Sequence, residues 1–501
     1  MGVWVMQVVW FKRDLRVHDH VPLVEASRRG RCLCLYVYEP EIMESPEFDT
    51  SHLSFINQSL AELDRQLTEL GGRLIRRVGA MPDVLDQLHH EHGIDALWSH
   101  EETGNLITYK RDLRVAKWTQ LHGITWHEFP QNGVVRRLKS RDGWSRLRDT
   151  FMKRPVAAAP RSIDVPNNIK SQDIQEPASL GLPASEKTEL PVGGEHQGRV
   201  VLESFLASRG ENYSFEMSSP VTAWDSCSRL SPYLAWGCLS IRDVAHAVRD
   251  RRAELKIEKQ AGGETGAWLR SLKAYESRLS WHCHFMQKLE DEPAIEFENM
   301  SRAYDGLRED EFSQSHFDAW CSGQTGYPMV DACMRALHQH SWINFRMRAM
   351  LVSFASYHLW LHWRPTAVYL ARHFLDFEPG IHFSQFQMQS GTAGINTIRI
   401  YSPVKQVQDH DPDGQFIRKF VPELACVPRE FIAEPHKMPL STQSLVGCRI
   451  GKDYPKPIVE NAKAYKTARE RMYAVRGKSE ARQDARRVMQ RHGSRKSWRR
   501  R

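Results

Sequence analysis

The residues best suited to chemistry lie between Ser341 and Pro403, where aromatic, cationic and acidic side chains are dense. Residues four apart share a helix face, so in a helix Asn344 and Arg348 would point one way and Arg346 another. One arginine could then face a buried anion while the other faces solvent or a large polyanion. An ordinary core helix followed by a loop is the alternative interpretation.

Two carboxylates follow this segment, Asp376 and Glu378, two residues apart. Pro379 favours an extended backbone at Glu378, so both carboxylates could point to one side. A buried arginine requires an acidic partner, and we predict that Arg348 pairs with Asp376.

Length and charge limit the class of protein. The chain has 501 residues, a net charge of +8 and fifteen tryptophans. It is too long for one core, so two or three domains are expected. The positive charge suits a polyanion such as nucleic acid, although a merely basic soluble protein would show the same total.

Metal, secretion and membrane insertion are not indicated. The nine cysteines are scattered without a CxxC pair or a four-cysteine cluster, so no zinc or iron–sulfur site is expected. Their odd number suits a reducing cytoplasm. The N-terminus becomes charged too soon for a signal peptide, and the most apolar run, Met350 to Trp363, is too short for a membrane span.

The order of elements predicts an α/β domain followed by an all-α domain. The predicted strands, with helices between them, are Val3–Trp10, Cys32–Tyr38, Arg73–Val78, Ala96–Ser99 and Thr125–Phe129. This alternation is typical of a doubly wound parallel sheet, and no GxGxxG follows the first strand. We divide the chain into an α/β domain (1–135), a Pro- and Ser-rich linker (136–205), a helical domain (206–450) and a basic tail (451–501). The end of that tail, HGSRKSWRRR, is expected to be disordered.

Four blocks of sequence resemble the photolyase and cryptochrome flavoproteins. They are VVWFKRDLRVHDHVPL, CSRLSPYLAWGCLS, AWCSGQTGYPMVDACMRAL and the Ser341–Pro403 stretch, in the family's order. The resemblance covers nearly the whole chain and implies an FAD held in the helical domain.

Cofactor positions follow from this resemblance. Those implied to hold FAD are Tyr213, Ser228, Leu230, Ser231, Trp281, His282, Arg348, Asp376, Glu378 and His382. The Ser228–Ser231 segment opens a helix, where free N–H groups favour phosphate. Glu378 matches the second acid beside the flavin ring. His382 matches the residue facing flavin N5, where repair enzymes usually carry asparagine, and a structural role is the alternative.

The implied lesion pocket departs from the family pattern. Trp281 matches the aromatic residue that stacks beside a flipped pyrimidine dimer, but Arg278 replaces the usual glutamate, with Glu276 nearby. Phe345 stands in place of an asparagine, and Asn344 stands where (6-4) repair enzymes carry histidine. Arg278 could stabilise a radical anion, or lesion repair could be lost altogether.

The implied electron relay also departs. Trp320 and Trp363 match the distal and middle tryptophans, whereas the proximal position is Phe386. Trp342, Trp360 and Tyr401 are candidates for another route, although core packing is the ordinary role of such residues.

The resemblance thus predicts light-dependent repair of cyclobutane pyrimidine dimers in DNA by a deoxyribodipyrimidine photo-lyase, with Arg346 on the DNA backbone. A cryptochrome-type blue-light receptor without repair activity is the alternative. A second antenna chromophore of unknown identity is possible in the α/β domain. We expect a cytoplasmic monomer with no membrane partner.

Overall fold

A computed structural model describes residues 6–166 and 168–494. The first part is a parallel sheet with strand order β3-β2-β1-β4-β5. Its strands are β1 (Met6–Phe11), β2 (Arg31–Tyr38), β3 (Leu74–Val78), β4 (Ala96–His100) and β5 (Thr125–Phe129). The predicted residues 3–5 of the first strand lie outside the described residues. The sheet confirms the predicted doubly wound α/β class.

Both faces of the sheet are covered, because successive side chains of a strand point to opposite sides. Val9 and Phe11 of β1 join one apolar cluster, whereas Val8 and Trp10 join another. The helices of this part are α1 (Val21–Ser27), α2 (Pro40–Met43), α3 (Thr50–Glu69), α4 (Met81–His92) and α5 (Leu106–Leu121).

The predicted linker contains α6 (Trp144–Met152) and α7 (Glu195–Ser204). Between them the chain runs beside edge strand β3. There, the Arg76 amide donates to the Ser171 hydroxyl at 3.0 Å, and the Gln172 amide donates to the Arg76 carbonyl at 3.0 Å. The segment therefore covers an edge that would otherwise expose unpaired backbone groups.

The second part is helical, as predicted. Its helices up to residue 446 are α8 (Tyr213–Glu216), α9 (Ala223–Ser226), α10 (Ser231–Ala235), α11 (Ile241–Gln260), α12 (Trp268–Asp291), α13 (Gln314–Ser322), α14 (Pro328–His340), α15 (Phe345–Ser353), α16 (Trp363–His373), α17 (Pro379–Ser390), α18 (Pro403–His410), α19 (Gln415–Phe420) and α20 (Leu440–Val446). No helix of the described residues combines the length and apolar character that a membrane crossing requires.

The predicted basic tail is largely folded. It forms α21 (Asn461–Arg476) and α22 (Ser479–His492). Ala468 and Met472 pack against buried Tyr304 and Tyr357. Apolar residues at helical spacing thus attach the segment to the helical domain despite its charge. Of the segment expected to be disordered, residues 492–494 are described and residues 495–501 are not.

Candidate functional site

The predicted arginine–aspartate pair is present in the helical domain. Nη1 and Nη2 of Arg348 donate to the two carboxylate oxygens of Asp376, each at 2.9 Å. The Arg348 Nε atom donates to the Ile343 carbonyl at 2.8 Å. Burial disfavours the charge of Asp376, but Arg348 and a hydrogen bond from Ser231 outweigh burial and lower its pKa. The pair is therefore a fixed, charge-balanced anchor.

The second carboxylate has a cationic partner. Glu378 is extended, with φ of −126° and ψ of 117° just before α17, as predicted from Pro379. His282 Nε2 lies 2.9 and 3.1 Å from the two Glu378 carboxylate oxygens. Burial would lower the pKa of His282, but the Glu378 carboxylate outweighs it and the pKa rises to about 10. The Nδ1 atom of His282 is buried and has no hydrogen-bond partner among the described residues.

The geometry of His382 fixes its proton. Its Nε2 atom lies 2.8 Å from the Ala367 carbonyl oxygen, which can only accept. Nε2 therefore carries a hydrogen. Burial lowers the pKa of His382 to about 4, so Nδ1 is unprotonated at neutral pH and presents a lone pair.

The predicted phosphate-binding segment is built as a turn before α10. Arg209 holds this turn by donating to the carbonyls of Cys227 at 2.6 Å and Ser228 at 3.3 Å. The Leu230 amide donates to the Ser228 hydroxyl at 3.4 Å. Tyr213 is buried beside this turn. The backbone amides and hydroxyl groups of such a turn are suited to an anion.

Positive charge converges on this turn. Burial raises the pKa of the Cys227 thiol, and the four cations that oppose this rise are Arg229, Arg209, Arg348 and Arg278. Arg348 is neutralised by Asp376. The residues present therefore fit a cofactor with a diphosphate near Ser228 and a polar ring system near Asp376. Sequence reasoning missed Arg209, which holds this turn. The Arg229 guanidinium instead lies against Trp342, 3.9 Å from its ring centre.

Exposed aromatic side chains lie at the predicted lesion pocket. Trp281 is 40% exposed and Phe345 is 49% exposed, so both rings are open to a partner from solvent. The Arg278 guanidinium lies 5.9 Å from the Phe345 ring centre, and Arg278 precedes Trp281 by three residues on α12. On the same part of α15, the Arg346 guanidinium lies 5.7 Å from the Tyr401 ring centre.

Two predicted pocket residues have other roles in the structure. Glu276 forms an ion pair with Arg252 of α11, because it lies on a different face of α12 from Arg278. It does not supply the missing pocket carboxylate. Asn344 is buried, and its amide donates to the carbonyls of Met217 at 3.1 Å and Ser218 at 3.0 Å. It fixes the loop after α8 rather than facing an open pocket.

The predicted relay residues are only partly arranged for electron transfer. Phe386 lies 4.6 Å from the His382 ring, and buried Trp363 donates to Asn299 Oδ1 at 2.7 Å. Trp320 is 0% exposed and lies 5.9 Å from the Tyr369 ring. An outermost relay residue should reach solvent, so the distal assignment of Trp320 does not fit its burial.

Each of the alternative relay candidates has at least one arginine next to its ring. Guanidinium groups lie 3.9 Å from the Trp342 ring centre, 4.6 and 4.2 Å from that of Trp360, and 5.7 Å from that of Tyr401. Two unit charges 4 Å apart interact by about 4 kcal/mol near a protein surface. A positive hole on any of these rings is therefore disfavoured.

The α/β domain contains one group of potential metal ligands among the described residues, formed by Asp14, His20 and His100. Both histidines contact the same Asp14 oxygen, at 3.0 and 2.7 Å, and His20 Nδ1 accepts from the Leu23 amide at 3.1 Å. These hydrogen bonds account for the cluster as a brace for the chain after β1.

Comparisons with known proteins agree with this arrangement. A family model described as the FAD binding domain of DNA photolyase matches residues 275–474, and one described as DNA photolyase matches residues 7–151. A deoxyribodipyrimidine photo-lyase of Streptomyces griseus is 31% identical, covering 91% of this chain and 97% of its own. A cryptochrome DASH of Gloeobacter violaceus is 27% identical, covering 90% and 93%.

A solved structure of a photolyase is also similar to this chain over nearly its whole length. The crystal structure of a bacterial class III photolyase from Agrobacterium tumefaciens has a TM-score of 0.82 and 26% identity, and covers 95% of this chain and 99% of its own. These matches span both parts of the fold, and the FAD-binding model includes the positions of Arg348, Asp376 and His382. The chain belongs to the photolyase and cryptochrome family of flavoproteins.

Proposed function

We propose that this protein is a light-dependent DNA repair enzyme that binds FAD and acts on cyclobutane pyrimidine dimers. One observation carries the proposal. Two exposed aromatic rings, Trp281 and Phe345, lie beside Arg278, and Phe345 shares α15 with Arg348. Exposed aromatic surface beside cations suits an extrahelical base and its phosphates.

Each part of the site has a role in this proposal. When bound, reduced FAD that has absorbed blue light supplies the electron that splits the dimer. The Arg348–Asp376 pair orients the cofactor ring. His382 holds its proton at Nε2 and presents the Nδ1 lone pair as a hydrogen-bond acceptor.

DNA recognition falls to the exposed residues. A dimer is flipped out most readily because its stacking is already disturbed. Trp281 and Phe345 would stack on the flipped bases, and Arg346 would contact a backbone phosphate. Arg278 places a positive charge where relatives in the resemblance carry an acid, and it would stabilise negative charge on the dimer.

The experiment is an assay of dimer loss. Purified protein is photoreduced and incubated with ultraviolet-damaged DNA under blue light, and dimers are quantified by chromatography against dark controls. We expect loss only in light, a strong decrease for Trp281→Ala, and a smaller one for Arg278→Ala. Glu276→Gln is the matched control on the same helix, because its carboxylate faces Arg252 rather than the pocket.

A cryptochrome-type photoreceptor is the second candidate function. The relatives include proteins named cryptochrome DASH, and Arg278 and Phe345 both depart from the repair pattern. In that case the FAD site would be intact and photoreducible, whereas dimer number would not change in light. The same assay therefore separates the two functions.

We also propose a second chromophore at the junction of the two parts. A cavity there is lined by aromatic residues that include Trp10, Tyr36, Phe48, Trp236 and Phe377. It lies at the carboxyl ends of β1 and β2, where open parallel sheets bind ligands. Absorbance of the purified protein beyond that of FAD would identify such a chromophore.

A further inference from the structure

A second cavity lies behind the turn that precedes α10. Its volume is about 70 Å³, and Arg229, Tyr233, His340, Ser341 and Trp342 line it. On a similar measure, one water needs roughly 10–15 Å³, so several heavy atoms fit. Neither Ser228 nor Ser231 lines this cavity, so it is distinct from the site proposed for the FAD phosphates.

Three polar groups at this cavity lack partners. Ser341 Oγ and His340 Nε2 are buried and have no hydrogen bond to any described residue. Ser341 is 0% exposed and His340 is 5% exposed. A buried polar group that lacks a hydrogen bond destabilises the fold. Two such groups on consecutive residues facing one cavity indicate a ligand that supplies their hydrogen bonds.

The third group is the guanidinium of Arg229. It lies 3.9 Å from the ring centre of Trp342 and 4.7 Å from that of Trp224, yet within the described chain it makes no hydrogen bond or ion pair. The Asp376 carboxylate, which raises the pKa of Arg229, is already held by Arg348. Burial lowers the pKa of Arg229 to about 10, so it stays charged at neutral pH. A cation that is partly withdrawn from water and has no anion beside it is unfavourable.

Two residues that line this cavity have an unusual backbone conformation. Arg229 has φ of 59° and Ser341 has φ of 54°, a left-handed conformation that non-glycine residues rarely adopt. Such conformations persist where surrounding structure requires them, commonly at binding sites. Here they place both side chains at one cavity.

We propose that this cavity binds a small monocarboxylate. The planar guanidinium of Arg229 would hold the carboxylate through two parallel hydrogen bonds, and the Ser341 hydroxyl would donate to one of its oxygens. The remaining walls include Pro191, Pro232 and Leu375, which suit a short apolar group.

Charge balance favours a monoanion over a phosphate dianion. Arg229 is the one cation that lines the cavity among the described residues. Burial lowers the pKa of His340, and although Glu189 opposes this effect, Lys419 and Arg229 reinforce it. His340 is therefore neutral at neutral pH. Its Nδ1 atom lies 3.3 Å from the Glu189 carboxylate, which is 59% exposed and does not line the cavity. Arg229 is thus the charge on the cavity wall, and one negative charge balances it.

The test uses FAD-loaded protein and sodium acetate as the probe. Tryptophan fluorescence and the thermal midpoint are followed as acetate replaces chloride at constant ionic strength. We expect a saturable change, because Trp224 and Trp342 both contact the arginine that binds the anion. Arg229→Gln should abolish it. Ser341→Ala should weaken acetate binding about tenfold, as for loss of one hydrogen bond to a charged group.

Control variants separate binding from folding. Arg251 also lies near a tryptophan, Trp268, but it is paired with Glu254, so Arg251→Gln should leave the acetate response unchanged. Ser341→Ala should not lower the stability of acetate-free protein, because it removes an unsatisfied hydroxyl. FAD absorbance reports whether each variant retains the cofactor, and dimer repair is measured separately.

Two outcomes would overturn the proposal. A response that is the same for chloride and acetate would exclude a carboxylate site. A stronger response to phosphate than to acetate would contradict the charge argument. Either result is independent of whether the protein repairs DNA.

Discussion

Replacing Asp376 with asparagine tests the electrostatic centre of the site. The carboxylate of Asp376 is 5% exposed and the side chain of Arg348 is 24% exposed. Removing one partner of a buried pair costs about 3–5 kcal/mol, since the other charge is left uncompensated. Because Arg348 keeps some contact with water, we expect the lower end, about 3 kcal/mol. At about 2 °C per kcal/mol for a large domain, the thermal midpoint should fall by roughly 6 °C.

The assay is thermal denaturation of wild-type and Asp376→Asn protein, followed by circular dichroism. Glu41→Gln is the control, because Glu41 pairs with Arg114 at the surface with side chains 52% and 45% exposed. Such pairs contribute at most about 1 kcal/mol. Equal midpoints for wild type and Asp376→Asn would refute the assignment of this pair as a structural anchor.

The effect of Asp376→Asn should depend on pH in a defined direction. The folded protein lowers the pKa of Asp376 from its ordinary value of 3.8. The stabilisation is therefore fully present above this value and is lost as pH falls through the lower, folded pKa. The difference in free energy of unfolding between wild type and Asp376→Asn should therefore decrease at acidic pH. An increase in this difference at acidic pH would contradict the pairing of Asp376 with Arg348.

Three further predictions concern the site. His282 should remain protonated until about pH 10. Its contribution to stability is fully present below its ordinary pKa of 6.5 and should be lost only as pH rises through about 10. Histidine NMR resonances measure this titration, and a midpoint near 6.5 would contradict the prediction. His382 should titrate near 4, and His382→Asn should change the absorption spectrum of photoreduced protein, whereas an unchanged spectrum would leave His382 a structural residue. Trp363→Phe should slow photoreduction more than Trp342→Phe, because a guanidinium lies over Trp342; equal effects in transient absorption would refute that electrostatic argument.

Local patterns predicted much of this molecule. The alternation of short apolar runs with helices predicted the α/β class, because both kinds of element can be recognised from the period of their apolar residues. Arg348 and Asp376 were paired from a simple rule, that a buried arginine requires an acid. The extended Glu378 followed from Pro379, which restricts the residue before it.

Features that depend on packing could not be predicted in this way. Glu276 is close to Arg278 in sequence, but helical rotation turns it towards Arg252. The basic tail was predicted from its charge and composition alone, without a packing partner. Met472 nevertheless lies at a spacing that lets α21 pack against Tyr357. The burial of Trp320 depends on neighbours such as Tyr369 that no local pattern identifies.

The most direct test of the proposed function is the number of cyclobutane dimers remaining in DNA after blue light, in a sample whose FAD is shown by absorbance to be fully reduced. Light-dependent loss of dimers, absent in the dark and strongly reduced in Trp281→Ala, is the predicted result. An unchanged number of dimers with fully reduced FAD would contradict repair and leave the photoreceptor function.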